Sequence, residues 1–228
     1  YETTGGLETV AVRMPSNLIA MELIRAGGGY ISAPSANTSG RPSPTKAEHV
    51  ADDLNGKIEM ILDGGSVEIG LESTIVDMTV EPPMILRPGA ITKEMLEQEI
   101  GEVDVDRTIL SADSHQAPKA PGMKYRHYAP KADLIIVEGE PEEETKAIRQ
   151  LVYEQVRKGE KTGVIATTES AEAYHYGLVK VIGSRNNEKS IARNLYAVLR
   201  EFDEEEISLI YSESVAAEGI GSAIMNRL

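Results

Sequence analysis

Four stretches of this sequence bring together side chains that can hold an anion or a flat ligand. The first is Ser32-Ala33-Pro34-Ser35-Ala36-Asn37-Thr38-Ser39-Gly40-Arg41-Pro42-Ser43-Pro44-Thr45. Its small hydroxyl and amide side chains let backbone N–H groups approach an anion, a following helix start adds partial positive charge, and Arg41 can add a full one. The same composition also makes an ordinary polar loop with helix-capping residues. The second, Leu71-Glu72-Ser73-Thr74-Ile75-Val76-Asp77, puts hydroxyls at the opening of an apolar strand, where a cleft can form. Taken alone, it reads more simply as a strand start. In the third, Leu86-Arg87-Pro88-Gly89, an arginine at a strand end can fork onto a phosphate or carboxylate, or can merely border a turn. The fourth, Ala120-Pro121-Gly122-Met123-Lys124-Tyr125-Arg126-His127-Tyr128-Ala129-Pro130, packs aromatic and cationic groups suited to stacking on a base and pairing with phosphate. A merely flexible linker would be rich in Gly and Ser instead. Arg13 closes the apolar run Thr9-Val10-Ala11-Val12-Arg13 and suits a carboxylate at a cleft mouth, although a solvated edge charge is the simpler reading. His49, His115 and His175 are not spaced as metal ligands.

Alternating strand and helix signals position these residues. Strands are expected over Thr9–Arg13, Tyr30–Ala33, Met60–Leu62, Ser73–Asp77 and Met84–Leu86. Helices are expected over Asn17–Arg25 (capped by Ser16, with Leu18, Ile19, Leu23 and Ile24 for burial), Lys46–Leu54 (capped by Thr45) and Lys93–Ile100 (capped by Thr92). Residues 111–133 lack a period and carry three prolines, so they read as a linker. The alternation then restarts: strands Leu134–Val137, Gly163–Ala166, Val179–Ile182 and Ile207–Tyr211, with helices over Glu142–Lys158, Ala171–Tyr176 and Glu188–Phe202. The acidic run Asp203-Glu204-Glu205-Glu206 reads as a solvated turn. An α/β class follows, with one domain over residues 1–110, a linker over 111–133 and a small parallel-sheet domain over 134–228.

Composition narrows the function. The net charge is −14, which disfavours stable direct binding to tRNA or DNA. Residues 111–133 are locally basic, with four Lys and Arg against two acidic residues, which suits a small anionic ligand. There is no Cys, so thiolate catalysis and Cys-based metal sites are excluded, and a reducing compartment fits. No apolar run is long enough to span a bilayer, so a cytoplasmic protein is expected. The chain opens at Tyr1 without a start signal and ends on a helical composition, so both ends read as cut from something longer.

Taken in order, Thr-Val-Ala-Val-Arg-Met-Pro, Ala-Pro-Ser-Ala-Asn-x-Ser-Gly-Arg-Pro-Ser-Pro-Thr, Glu-Ser-Thr-Ile-Val-Asp, Leu-Arg-Pro-Gly and Pro-Gly-Met-Lys-Tyr-x-His-Tyr-Ala-Pro resemble the long, two-domain form of threonylcarbamoyl-AMP synthase. The closing run Gly219–Leu228 also resembles that family's second-domain end. The resemblance implies a partial YrdC-like twisted open sheet with helices, followed by a small Rossmann-like βαβαβ domain. It implies that Arg13, Ala33 and Ser73 line a threonine pocket, with Arg13 on the carboxylate. Thr9, Ser35, Asn37, Ser43 and Arg87 would line the nucleotide site, and Tyr125, His127 and Tyr128 would close over it. The family's Pro-x-Glu-Thr-x-Tyr-Gly-Leu segment and its Lys-x-Arg phosphate motif would precede Tyr1, so this chain alone is expected to be inactive.

The implied reaction joins L-threonine, bicarbonate and ATP, with Mg2+ on the phosphates, into threonylcarbamoyl-adenylate and pyrophosphate. The product would pass to a transferase that modifies tRNA. Catalysis would rest on positioning and charge stabilisation, without an enzyme nucleophile. Two other readings stand beside it: a non-catalytic nucleotide- or RNA-binding module, and a related carbamoyl-transferring enzyme with another acceptor.

Overall fold

The computed structural model describes Thr4 and residues 8–106, 129–216 and 218–228. In the first part, helix α1 (Leu18–Ala26) begins where Asn17 Oδ1 accepts the Ala20 N–H at 3.0 Å, so Asn17 and not Ser16 is the cap. Its apolar face was expected to be buried, yet Leu18 is 79% exposed and Ile19 and Leu23 are each 48% exposed. The described residues leave that face open to solvent. Helix α2 (Ala47–Leu54) has no side-chain cap at Lys46, and the expected cap Thr45 instead donates its backbone N–H to His49 Nδ1 at 3.2 Å. Helix α3 (Lys93–Ile100) starts as its sequence dictates, with Thr92 Oγ1 accepting from Met95 N.

Strands β1 (Ile75–Asp77) and β2 (Met84–Arg87) pair antiparallel, and β3 (Asp104–Val105) joins β2 in parallel. The strands expected over Thr9–Arg13, Tyr30–Ala33 and Met60–Leu62 do not form. An apolar, β-branched run becomes a strand only when a neighbour supplies a ladder, and no described residue pairs with these three.

The second part follows its sequence closely. Strands β4 (Asp133–Val137), β5 (Thr162–Thr167), β6 (Leu178–Gly183) and β7 (Leu209–Glu213) form one parallel sheet in the order β4-β7-β5-β6. Strand β4 thus starts at the last residue of the expected linker. Helices α4 (Pro141–Arg157), α5 (Glu188–Glu204) and α6 (Gly219–Met225) cover the sheet. The stretch read as a helix over Ala171–Tyr176 is one 3-10 turn, Ala171–Ala173, too short for a helical crossover. Side chains alternate across the sheet as the pleat requires. Val164, Ala166 and Tyr211 meet Ile148 and Val152 of α4, whereas Ile165, Ile182 and Ile210 meet Ile191, Leu195, Leu199 and Phe202 of α5 and Ile224 of α6. Two apolar layers result, one on each face. Leu71 of the first part inserts into the second layer.

At the carboxyl ends of these strands, where parallel sheets commonly take ligands, the protein's own charges pair. Arg185 Nη2 donates to Glu144 Oε2 at 2.5 Å and to Glu213 Oε2 at 2.9 Å. Tyr174 OH donates to Glu213 Oε1 at 2.6 Å, and Thr167 Oγ1 donates to Glu213 Oε2 at 2.9 Å. Burial, then the hydrogen bond to the Glu213 carboxylate, pushes the Tyr174 phenol well above its ordinary value. The acidic run is also not a free turn: Asp203 lies in α5, is 8% exposed, and accepts the Lys131 N–H at 2.7 Å. No described helix is long and apolar enough to cross a membrane.

Candidate functional site

Three of the stretches singled out in the sequence are held together by two carboxylates, and both carboxylates are gripped from the second part of the chain. The first is Asp53 on α2. Arg200 on α5 donates Nη2 to Asp53 Oδ2 at 2.8 Å and Nη1 to Oδ1 at 3.3 Å, and directs Nε and Nη2 to the Pro42 carbonyl at 3.0 and 2.6 Å. Arg200 is 1% exposed, so the guanidinium is satisfied wholly by protein acceptors. The Thr38 N–H reaches Asp53 Oδ2 at 3.1 Å, and Arg41 pairs with Oδ1. Arg41, which on sequence grounds could lend its charge to a ligand or merely belong to a polar loop, pairs here with Asp53 and serves the loop itself. Burial opposes ionisation of Asp53, but the Arg200 hydrogen bond, the Thr38 N–H and the arginine charges prevail and hold its carboxyl below the ordinary value.

Inside this loop Asn37 Nδ2 donates to the Thr38 carbonyl at 3.0 Å and the Arg41 carbonyl at 3.1 Å. Those bonds fix the amide orientation and turn Oδ1 the other way. Among the described residues that oxygen is buried without a hydrogen-bond partner. A buried acceptor left open in this way is uncommon, and a ligand donor would complete it.

The second carboxylate is Glu72. Ser43 Oγ donates to Glu72 Oε1 at 2.9 Å, Tyr196 OH lies 2.9 and 2.8 Å from its two oxygens, and Arg227 Nε donates to Oε2 at 2.7 Å. Burial again opposes the charge, and Arg227 with the Tyr196 hydroxyl outweighs it, so Glu72 sits below the ordinary carboxylate range. Arg227 Nη2 also donates to the Pro88 carbonyl at 3.3 Å. The Arg-Pro-Gly turn is thereby drawn against the Glu-Ser-Thr segment, and Arg87 Nε donates to the Ser73 carbonyl at 3.1 Å. Gly89 permits the approach, since a Cβ there would lie 2.5 Å from Thr74 N and 2.6 Å from the Glu72 carbonyl oxygen.

The structure thus brings Ser43, Ser73 and Arg87 to one locus, with Asn37 in the adjoining loop. Thr9, Arg13, Ala33 and Ser35 are exposed, and among the described residues no hydrogen bond or ion pair ties them to that locus. Tyr125, His127 and Tyr128 lie outside the described residues. Sequence reasoning missed Asp53, Arg200, Tyr196 and Arg227. A signal existed for Arg200: it falls four residues after Tyr196, on the buried stripe of α5.

The fold and the site define a two-part α/β chain whose parallel-sheet half braces polar loops of the other half. Residues 91–228 match the family described as "Threonylcarbamoyl-AMP synthase, C-terminal domain", and the chain belongs to that family. Residues 1–89 match the family described as "Telomere recombination". The chain is 49% identical over 225 residues to the threonylcarbamoyl-AMP synthase of Bacillus subtilis (strain 168), covering 99% of this chain and 63% of that one. It is 45% identical over 227 residues to that of Pyrococcus abyssi (strain GE5 / Orsay), covering 99% and 64%. The crystal structure of P. abyssi Sua5 complexed with L-threonine superimposes with a TM-score of 0.89 at 46% identity, again covering 99% of this chain and 64% of that one. The chain thus spans somewhat less than two thirds of the length of these relatives.

Proposed function

We propose that this chain serves threonylcarbamoyl-AMP synthesis in the cytoplasm, from L-threonine, bicarbonate and ATP. The threonine amine adds to carbon dioxide drawn from bicarbonate, losing a proton to give a carbamate. A carbamate oxygen then attacks the α-phosphorus of ATP, the bond to the β-phosphate bridge breaks, and pyrophosphate leaves. Nothing in this sequence of steps asks for an enzyme nucleophile. The protein's part is to hold two anions and an amine in line and to stabilise charge.

In this reading Arg13, Ala33 and Ser73 line the threonine pocket, with Arg13 forked onto the carboxylate. Thr9, Ser35, Asn37, Ser43 and Arg87 line the nucleotide site, and the open Asn37 Oδ1 meets a nucleotide donor. Tyr125, His127 and Tyr128 roof it, an assignment that rests on sequence resemblance alone. Mg2+ enters as the companion of the ATP phosphates; among the described residues no three His, Asp or Glu side chains gather to hold an ion. The adenylate then passes to a tRNA-modifying transferase.

The observation that carries the reading is the meeting of Ser43, Ser73 and Arg87 around Glu72, in a chain similar along nearly its whole length to a protein complexed with L-threonine. In a protein extended to the full length of these relatives, pyrophosphate release, followed with ATP and bicarbonate, should appear only when L-threonine is added. Absence of threonine-dependent release, together with salt-sensitive RNA binding, would favour a non-catalytic module instead.

A further inference from the structure

Arg227 stands two residues beyond the end of α6, far along the chain from every stretch with a motif for chemistry, yet its guanidinium contacts two of those stretches and reaches a third through one carboxylate. Nε holds Glu72, Nη2 holds the Pro88 carbonyl, and the Glu72 carboxylate passes the constraint to Ser43 Oγ. The Arg227 side chain is 7% exposed and that of Glu72 is 13% exposed, so solvent competes little for either group. Tyr196 OH takes a further place on the carboxylate. A fork of this kind fixes direction as well as distance, which a single point charge does not.

We propose that Arg227, with Tyr196, is a positioning residue for both substrates: through Glu72 and Pro88 it sets the relative placement of Ser43, Ser73 and Arg87. The second part of the chain is on this account a component of the substrate site, acting through residues that touch neither substrate. The proposal rests on the functional reading above.

The test compares Arg227→Met, Arg227→Lys and the isosteric Glu72→Gln in a protein extended to the full length of its relatives, with KM and kcat measured separately from melting temperature. Arg227→Met should raise KM for both L-threonine and ATP by at least about tenfold while leaving kcat within about threefold. Arg227→Lys restores the charge but not the fork, and should recover only part of the loss. Glu72→Gln should reproduce the KM shift, and the double variant Arg227→Met/Glu72→Gln should be no worse than either single one, because both cut the same link. Should Arg227→Met fail to fold, Glu72→Gln decides. Wild-type turnover with both KM values within about twofold in these variants, whatever the melting temperature does, overturns the proposal. A full-length wild-type protein with no threonine-dependent release overturns the functional reading, and this proposal falls with it.

Discussion

Arg200 and Asp53, 147 positions apart in the sequence, form a two-pronged buried ion pair, with Nη2–Oδ2 at 2.8 Å and Nη1–Oδ1 at 3.3 Å. The pair does more than join two halves. Arg200 also holds the Pro42 carbonyl, and Asp53 also receives the Thr38 N–H, so the loop is anchored at Thr38 and at Pro42 to one electrostatic unit.

Breaking a buried pair from one side strands a charge. Arg200→Met is therefore expected to destabilise the fold by about 3 kcal/mol, read from urea unfolding. Asp53→Asn should cost a similar amount, and the double variant should cost clearly less than the sum, since each change removes the same contact. Additive losses would mean that the two residues act independently.

Gly70 sits where the first part presses on α5. A Cβ there would lie 2.4 Å from the carbonyl oxygens of Ala192 and Arg193, and neither is a movable side chain. Gly70→Ala should lower stability by about 1–3 kcal/mol. An unchanged unfolding midpoint would show that the two parts do not meet there.

His49 gives a pH signature. Burial first, then the positive charges of Arg200 and Lys46, hold it below its ordinary value of 6.5, with Asp52 and Glu48 opposing. The unfolded chain takes up a proton near 6.5 that the folded chain refuses until lower pH. Its stabilising contribution is therefore complete above 6.5 and is lost as pH falls below it. Between about pH 7.5 and about pH 5.5 the wild-type melting temperature should decline more steeply than that of His49→Gln. Parallel curves would remove His49 from the account.

Glu169 is an exposed counterpart. Its oxygens accept from Ser184 Oγ at 2.5 Å and Arg185 N at 3.1 Å, and these bonds draw its pKa from 4.5 to about 2. Carboxyl chemical shifts should show Glu169 titrating near that value, and Ser184→Ala should move it upward. A midpoint at 4.5 in the wild type would contradict the bonding.

What the sequence disclosed depended on how local the cause was. Thr92 and Lys93–Ile100 were legible because a cap and a helix are neighbours in the chain. The parallel strands Thr162–Thr167 and Leu209–Glu213 were legible to within two residues because strands covered on both faces read as apolar runs. The expected strand Thr9–Arg13 shows the limit: its composition is right, but a ladder needs a partner that composition cannot supply. The site divided in the same way. Glu72, Ser73 and Arg87 lay in conspicuous local motifs. The role of their clamps Arg227 and Tyr196 was not legible, because a link across 155 positions leaves no local spacing.

Under the proposed function, the N-terminal segments bind L-threonine with its carboxylate on Arg13 and with Ser73 beside it. Calorimetric titration of the full chain with L-threonine tests it most directly. Wild-type protein should bind, and Arg13→Met should weaken binding by at least about tenfold, the lower end of what losing a charged hydrogen-bond partner produces. Ser73→Ala should weaken it by a smaller factor. Threonine binding that is unchanged in both variants would contradict the account.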